Sequence, residues 1–91
     1  MPEQLGNRVQ LTVTAIKGKC YWGHKVGDQC DVSLHQTGGI CGVLYHNIFH
    51  KINVLEFGGK MPWQTEDTAD FLVGDCPDAR NRVEVELRRI R

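Results

Sequence analysis

The sequence predicts a small α+β domain in which one helix lies on one face of an antiparallel sheet, with the elements in the order β-β-α-β-β. Three observations support this fold class. Polar and apolar residues alternate near both ends of the chain, one central segment has the apolar spacing of a helix, and glycine-containing connections separate these segments. The 91 residues form a single domain, residues 1–91. Because so small a domain buries a low fraction of its surface, a bound metal would add useful stability.

The first two strands are predicted from alternation. Apolar residues at every second position from Val9 to Ala15 indicate a strand with one buried face. The connection Cys20–Gly27 contains two glycines and has no helical periodicity. A second alternation, from Cys30 to Leu34, predicts a strand that pairs antiparallel with the first and places Cys30 on the core face.

The one substantial helix is predicted from Ile40 to about Leu55. Its apolar and aromatic residues recur at spacings of three and four, and they form one stripe on a helix surface: Leu44, Tyr45, Ile48, Phe49, Ile52 and Leu55. Gly58 and Gly59 follow this stripe and are predicted to end the helix.

The last third of the chain contains two more predicted strands. Residues 64–69 are predicted to form a polar surface loop, and a short strand follows at Phe71–Val73. Cys76 precedes a proline, so its backbone is expected to be extended or turned rather than helical. Alternation from Val83 to Leu87 predicts the final strand, which leads into the basic ending Arg88–Arg91.

Charge and hydropathy bear on the class of partner. Eleven Lys and Arg balance eleven Asp and Glu, so the net charge is zero and no long-range field gathers nucleic acid. The first residues lack the basic and apolar regions of a signal peptide, and no apolar run is long enough to cross a bilayer. We therefore expect a cytoplasmic protein with no nucleic-acid partner and no membrane partner.

The compartment decides how the four cysteines are interpreted. A reducing cytoplasm keeps thiols free, which favours a metal or catalytic role over a disulfide framework. In an exported chain the same four cysteines would allow three disulfide pairings, and the sequence does not choose among them.

Cys20 and His24 lie four residues apart across a short loop. A turn can bring this thiolate and imidazole onto one ion, and zinc, iron and copper all accept both ligands. The alternative is a small buried thiol beside a solvated loop histidine.

Cys41 follows two glycines at the predicted start of the helix, where free backbone N–H groups and the helix dipole favour an anion such as a thiolate. The alternative is a cysteine that packs as a small apolar group. His46 lies in the apolar stripe and is the better helix-borne ligand candidate, although a spacing of five from Cys41 turns the two residues apart on an ideal helix. His50 and His35 are expected to be solvated.

Cys76 lies at a rigid corner between the last two predicted strands, and such a corner can supply one ligand to a site assembled from distant segments. A buried corner cysteine is the alternative. Cys30 alternates with core residues and is excluded from the site. For Trp22 and Trp63 we expect ordinary core or edge packing.

Several motifs, in order, resemble a small uncharacterised prokaryotic family of single or tandem domains with CxxGHKxGD, GGxCG, YH and CPD patterns. They cover nearly the whole chain: Cys20–Asp28, Gly38–Gly42, Tyr45–His46, Phe57–Gly59, Pro62–Trp63, Cys76–Asp78 and Val83–Arg91. In that family the shared pattern includes the residues that match Cys20, His24, Cys41, His46 and Cys76, and the position of Cys30 is commonly not a cysteine. The resemblance implies this set of site residues and implies no reaction.

Three functions fit these residues, and the sequence leaves open whether the protein is an enzyme. The leading hypothesis is a zinc or iron site with Cys20, Cys41 and Cys76 as thiolate ligands and His24 or His46 completing the coordination. The second is a thiol-based redox protein or enzyme with Cys41 as nucleophile, a histidine as base, and Cys20 or Cys76 as resolving thiol. The third is a module that binds a protein partner or a second copy of itself and whose cysteines only pack.

Overall fold

The structure is a computed structural model, and it describes residues 6–20, 22–65, 70–77 and 80–90. Within these residues the chain forms four strands and one helix: β1 (Arg8–Ile16), β2 (Gln29–Val32), α1 (Gly42–Glu56), β3 (Phe71–Asp75) and β4 (Val83–Ile90). The order agrees with the sequence prediction, and the antiparallel sheet and single helix make this an α+β fold. Tyr21, Asp78 and Arg91 of the resembling motifs lie outside the described residues.

The four strands form one sheet in the order β2-β1-β4-β3, and every neighbouring pair is antiparallel. β1 and β2 pair as predicted, with Leu11 opposite Cys30. The second strand ends at Val32 rather than at the predicted Leu34. Ser33 donates its backbone N–H to the Gln36 carbonyl at 2.9 Å, and the Leu34 N–H turns to the Glu56 carboxylate at 2.8 Å. A local turn and a contact with the helix therefore replace the continued ladder.

Helix α1 covers one face of the sheet with the predicted stripe. Four stripe residues are at most 1% exposed, and they pack against the inward side chains of the sheet: Leu44, Ile48, Ile52 and Leu55. Burying each such side chain stabilises the fold by roughly 1.5–3 kcal/mol. Gly74 of β3 allows the close approach, because an added Cβ would lie 2.6 Å from Cγ2 of Ile48. Tyr45 and Phe49 lie at the margin of the stripe and are half-buried.

The C-terminal end of α1 is closed by Arg89, which the sequence places in a basic ending but which is only 5% exposed. Its Nε donates to the Leu55 carbonyl at 2.8 Å, and its second terminal nitrogen donates to the Gly59 carbonyl at 2.6 Å. Its other terminal nitrogen pairs with the Asp70 carboxylate at 3.1 Å. The guanidinium thus occupies carbonyl groups that the end of a helix leaves without partners.

Strand β3 is an edge of the sheet, and side chains occupy its outward carbonyl groups. The three donors come from the helix and from the turn before the strand: Asn47 Nδ2 to Asp75 at 2.6 Å, Lys51 Nζ to Val73 at 2.7 Å and Gln64 Nε2 to Phe71 at 2.7 Å. The predicted polar surface loop at 64–69 is therefore wrong at its first residue, since Gln64 is only 7% exposed. Residues 66–69 of that loop lie outside the described residues.

Candidate functional site at the helix N-terminus

Three of the four cysteines and one histidine line a single cavity of about 200 Å³ at the N-terminal end of α1. The sulfur- and nitrogen-bearing residues are Cys20, His24, Cys41 and Cys76, and all four are half-buried. The apolar part of the wall comes from Val43, Leu44 and Val83. Segments far apart in sequence therefore place soft donor side chains around one space.

The sheet explains why these segments meet. Strands β1 and β3 both run antiparallel to β4, so the C-terminal ends of β1 and β3 lie at the same end of the sheet. Cys76 directly follows β3, and its N–H donates to the carbonyl of Val83 at 2.9 Å. Cys20 lies shortly after β1, and α1 begins beside the same end of the sheet.

The residues just before β4 hold the Cys20 segment in place. Lys17 donates its N–H to the Arg82 carbonyl at 2.8 Å, and Lys19 donates its N–H to the Asn81 side chain at 2.9 Å. Gly18 has a φ of +79° and an added Cβ would lie 2.3 Å from the Arg80 carbonyl oxygen, so this close contact requires glycine. Asn81 was missed by the sequence analysis, because nothing in its local pattern connects it with Cys20.

Cys41 is the residue that precedes the first turn of α1. Its φ and ψ are −55° and 135°, and its side chain makes no capping hydrogen bond. The first turn of the helix contains no acidic residue. No carboxylate of the first turn therefore offsets the positive end of the helix dipole beside the cavity.

His24 accepts a hydrogen bond at Nε2 from the backbone N–H of Cys41, with a nitrogen–nitrogen distance of 3.2 Å. Burial lowers the pKa of His24 below its usual value, and the nearby negative charge of Asp28 offsets part of that effect. A lowered pKa favours the neutral imidazole, which is the form that can accept this hydrogen bond. The contact ties the loop after β1 to the start of the helix.

Trp22 forms an exposed flank of the cavity, although core or edge packing was expected for it. Its side chain is 59% exposed, and its Nε1–H donates to the Gly39 carbonyl at 3.3 Å. The Trp22 and His24 rings lie 6.4 Å apart between centroids. Trp63 is 69% exposed and is therefore not a core residue, and it lines a separate cavity with Phe71 and Leu72 of edge strand β3.

The remaining histidines and Cys30 lie outside this cavity. His46 is exposed on α1 and does not line it, and His35 and His50 are exposed as expected. Cys30 lines a neighbouring cavity, to which His24 also contributes. Burial raises the pKa of the Cys30 thiol, with smaller contributions from Asp31 and Asp28. All four cysteines are free thiols.

The donor side chains share a cavity but do not stand in coordination geometry. Within the described parts of the chain, no three His, Cys, Asp or Glu side chains are arranged to hold a metal ion in their present positions. An ion at this site would require these side chains to reorient.

Comparisons of the chain with protein-family models, with curated proteins and with solved structures give no match. Among the described residues, no helix is both long and apolar enough to cross a membrane.

Proposed function

We propose that this protein binds a thiophilic metal ion, zinc or iron, through the thiolates of Cys20, Cys41 and Cys76. The observation that carries the proposal is the convergence of these three side chains, from three separate segments, on one cavity at the start of α1. Thiolates are soft ligands that suit zinc and iron, and three of them can form most of a four-coordinate site.

The electrostatics of the cavity favour a bound group with a net negative charge. Three thiolates and a divalent ion together carry one net negative charge. That charge would lie at the N-terminal end of α1, whose first turn has no acidic residue. The partial positive charge of the helix dipole stabilises an anion there, and the effect is strongest within the first turn.

Metal binding requires the donor side chains to reorient, and two local features permit this. Side chains move between staggered rotamers, and the Cys41 thiol makes no capping hydrogen bond that a rotation would break. The loop that carries Cys20 and His24 also contains Gly23 and Gly27, around which there is open space.

The test is a metal-affinity series on protein purified without oxygen, chelators or a histidine tag. Single variants Cys20→Ser, Cys41→Ser and Cys76→Ser are compared with wild type by zinc competition against a chromophoric chelator, with Cys30→Ser as the matched control. We expect about one ion per chain in wild type and Cys30→Ser. Each of the other three variants should bind zinc at least about 100-fold more weakly, since each loses a ligand rather than a supporting contact. Equal affinity in all five proteins, or no binding by wild type, would contradict the proposal.

A second candidate function is a reactive thiol at Cys41. The observation that favours it is the placement of this side chain at the start of the helix, where it makes no capping hydrogen bond. His24 lies next to it and accepts a hydrogen bond from the backbone N–H of Cys41. Alkylation of metal-free protein with iodoacetamide, in which the sulfur displaces iodide, distinguishes the two candidates. A thiol enzyme would show Cys41 reacting much faster than Cys20 and Cys76 and would bind no zinc. Comparable rates at the three thiols would exclude this candidate.

A further inference from the structure

The hydrogen bond between Cys41 and His24 determines which lone pair of the histidine is available. A neutral imidazole has one protonated nitrogen and one acceptor nitrogen. Because Nε2 accepts the Cys41 N–H, the proton of neutral His24 is on Nδ1. A metal ion binds a nitrogen lone pair, so His24 has none to offer while this hydrogen bond is present.

Freeing that lone pair would disturb the helix start more than turning a thiol does. The N–H of Cys41 is one of the donors that the beginning of a helix leaves without an intrahelical partner, and Cys41 is half-buried. Removing His24 from this N–H would leave a partly buried donor unpaired. Rotation of the Cys41 thiol, in contrast, breaks no capping bond.

No other imidazole replaces His24 in the cavity. His46 is exposed on α1 and is not among the residues that line the cavity, and His35 is exposed after β2. Among the cysteine and histidine side chains, the ligands that the cavity supplies are therefore the three thiols.

We infer that His24 is a positioning residue, and that a metal held by Cys20, Cys41 and Cys76 has a fourth coordination position open to an exchangeable neutral ligand, either water or a small nitrogen donor. This inference rests on the proposed metal site. Three thiolates already leave a divalent ion with one net negative charge, so an additional anion is disfavoured. The rim beside the site is apolar and accessible, since Trp22 and Val43 are 59% and 55% exposed.

Cobalt(II) is a suitable probe, because its visible spectrum reports both the number of thiolate ligands and the identity of the fourth ligand. The wild-type protein is loaded with cobalt without oxygen and titrated with 1-methylimidazole. His24→Gln and His24→Ala are treated in the same way. Glutamine keeps a side-chain acceptor for the Cys41 N–H and supplies no imidazole, whereas alanine removes both.

We expect 1-methylimidazole to shift the cobalt d–d bands of wild type, and the starting spectrum of His24→Gln to match that of wild type. His24→Ala should keep the thiolate charge-transfer intensity and bind cobalt about 10- to 100-fold more weakly, as expected for loss of a supporting contact. Circular dichroism establishes that each variant is folded before loading.

Two results would overturn the inference, and they are distinguishable. If wild type does not respond to 1-methylimidazole while both variants show altered spectra that imidazole restores, His24 is a ligand and the metal site itself stands. If wild type binds neither cobalt nor zinc, the proposed function fails and the inference fails with it.

Discussion

At its C-terminal end α1 is closed by the buried guanidinium of Arg89, whereas at its N-terminal end the Cys41 side chain makes no capping hydrogen bond and three half-buried thiols line a cavity. Both ends of a helix leave backbone groups without partners. One end satisfies them with a positive side chain that donates to three carbonyl groups, those of Leu55, Val54 and Gly59. The two ends of one helix therefore differ: a buried side chain closes the C-terminal end, and a cavity lined by thiols lies at the N-terminal end.

The largest expected change in the free energy of unfolding comes from a substitution at the C-terminal end of α1. Arg89→Met removes the guanidinium donors to the Leu55 and Gly59 carbonyl groups. A buried acceptor left unpaired costs about 1–3 kcal/mol. We expect the free energy of unfolding to fall by about 3 kcal/mol or more, measured by urea denaturation. Arg88→Met is the control, because Arg88 is exposed and its ion pair with Glu86 is worth at most about 1 kcal/mol. Equal losses in the two variants would show that the closed end does not depend on the guanidinium.

Zinc that binds at the N-terminal end of α1 should stabilise the folded protein. A ligand that binds only the folded state adds about 2.7 kcal/mol at a free concentration 100 times its dissociation constant. Thermal unfolding with and without zinc should show this gain in wild type and in Cys30→Ser. It should be absent in Cys76→Ser, and a similar gain in that variant would point to zinc binding elsewhere.

A smaller stabilising effect is expected from Cys41→Ser without metal. Serine is a preferred residue at this position of a helix, since its hydroxyl accepts a hydrogen bond from the first turn, and a good cap is worth about 1 kcal/mol. Cysteine makes no such bond here. Urea denaturation of metal-free protein should therefore show Cys41→Ser to be slightly more stable than wild type, although the variant loses zinc. A destabilised variant would mean that the thiol itself supports the apo fold.

The pH dependence should give the smallest signal. Burial lowers the pKa of His24 in the folded state, so the unfolded chain binds more protons below the ordinary histidine pKa. The stability that His24 contributes is present above that pKa and is lost as the pH falls through it toward the lower folded-state pKa. Metal-free wild type should therefore lose more stability between neutral and mildly acidic pH than His24→Gln. Parallel pH profiles would contradict a neutral, hydrogen-bonded His24.

Periodicity was sufficient to predict the elements and the residues of the helix stripe, because burial on one face repeats in the sequence. It also placed Cys20, Cys41 and Cys76 at the ends of elements, and the structure places all three at one cavity. Periodicity could not choose between His24 and His46, since that depends on which loop reaches the helix start. The burial of Arg89 was not foreseen either, because its carbonyl partners lie 30 or more residues away along the chain.

The occupied carbonyl groups along β3 affect the tendency of the protein to self-associate at high concentration. An exposed edge strand is a template on which another chain can add its own strand, and this is a common route to fibrous aggregates. On β3 the Asn47, Lys51 and Gln64 side chains already occupy alternate acceptors, and Lys51 adds a charge. A strand from another chain would have to displace these side chains before it could pair with β3. This requirement disfavours assembly at β3 in concentrated solutions of the protein.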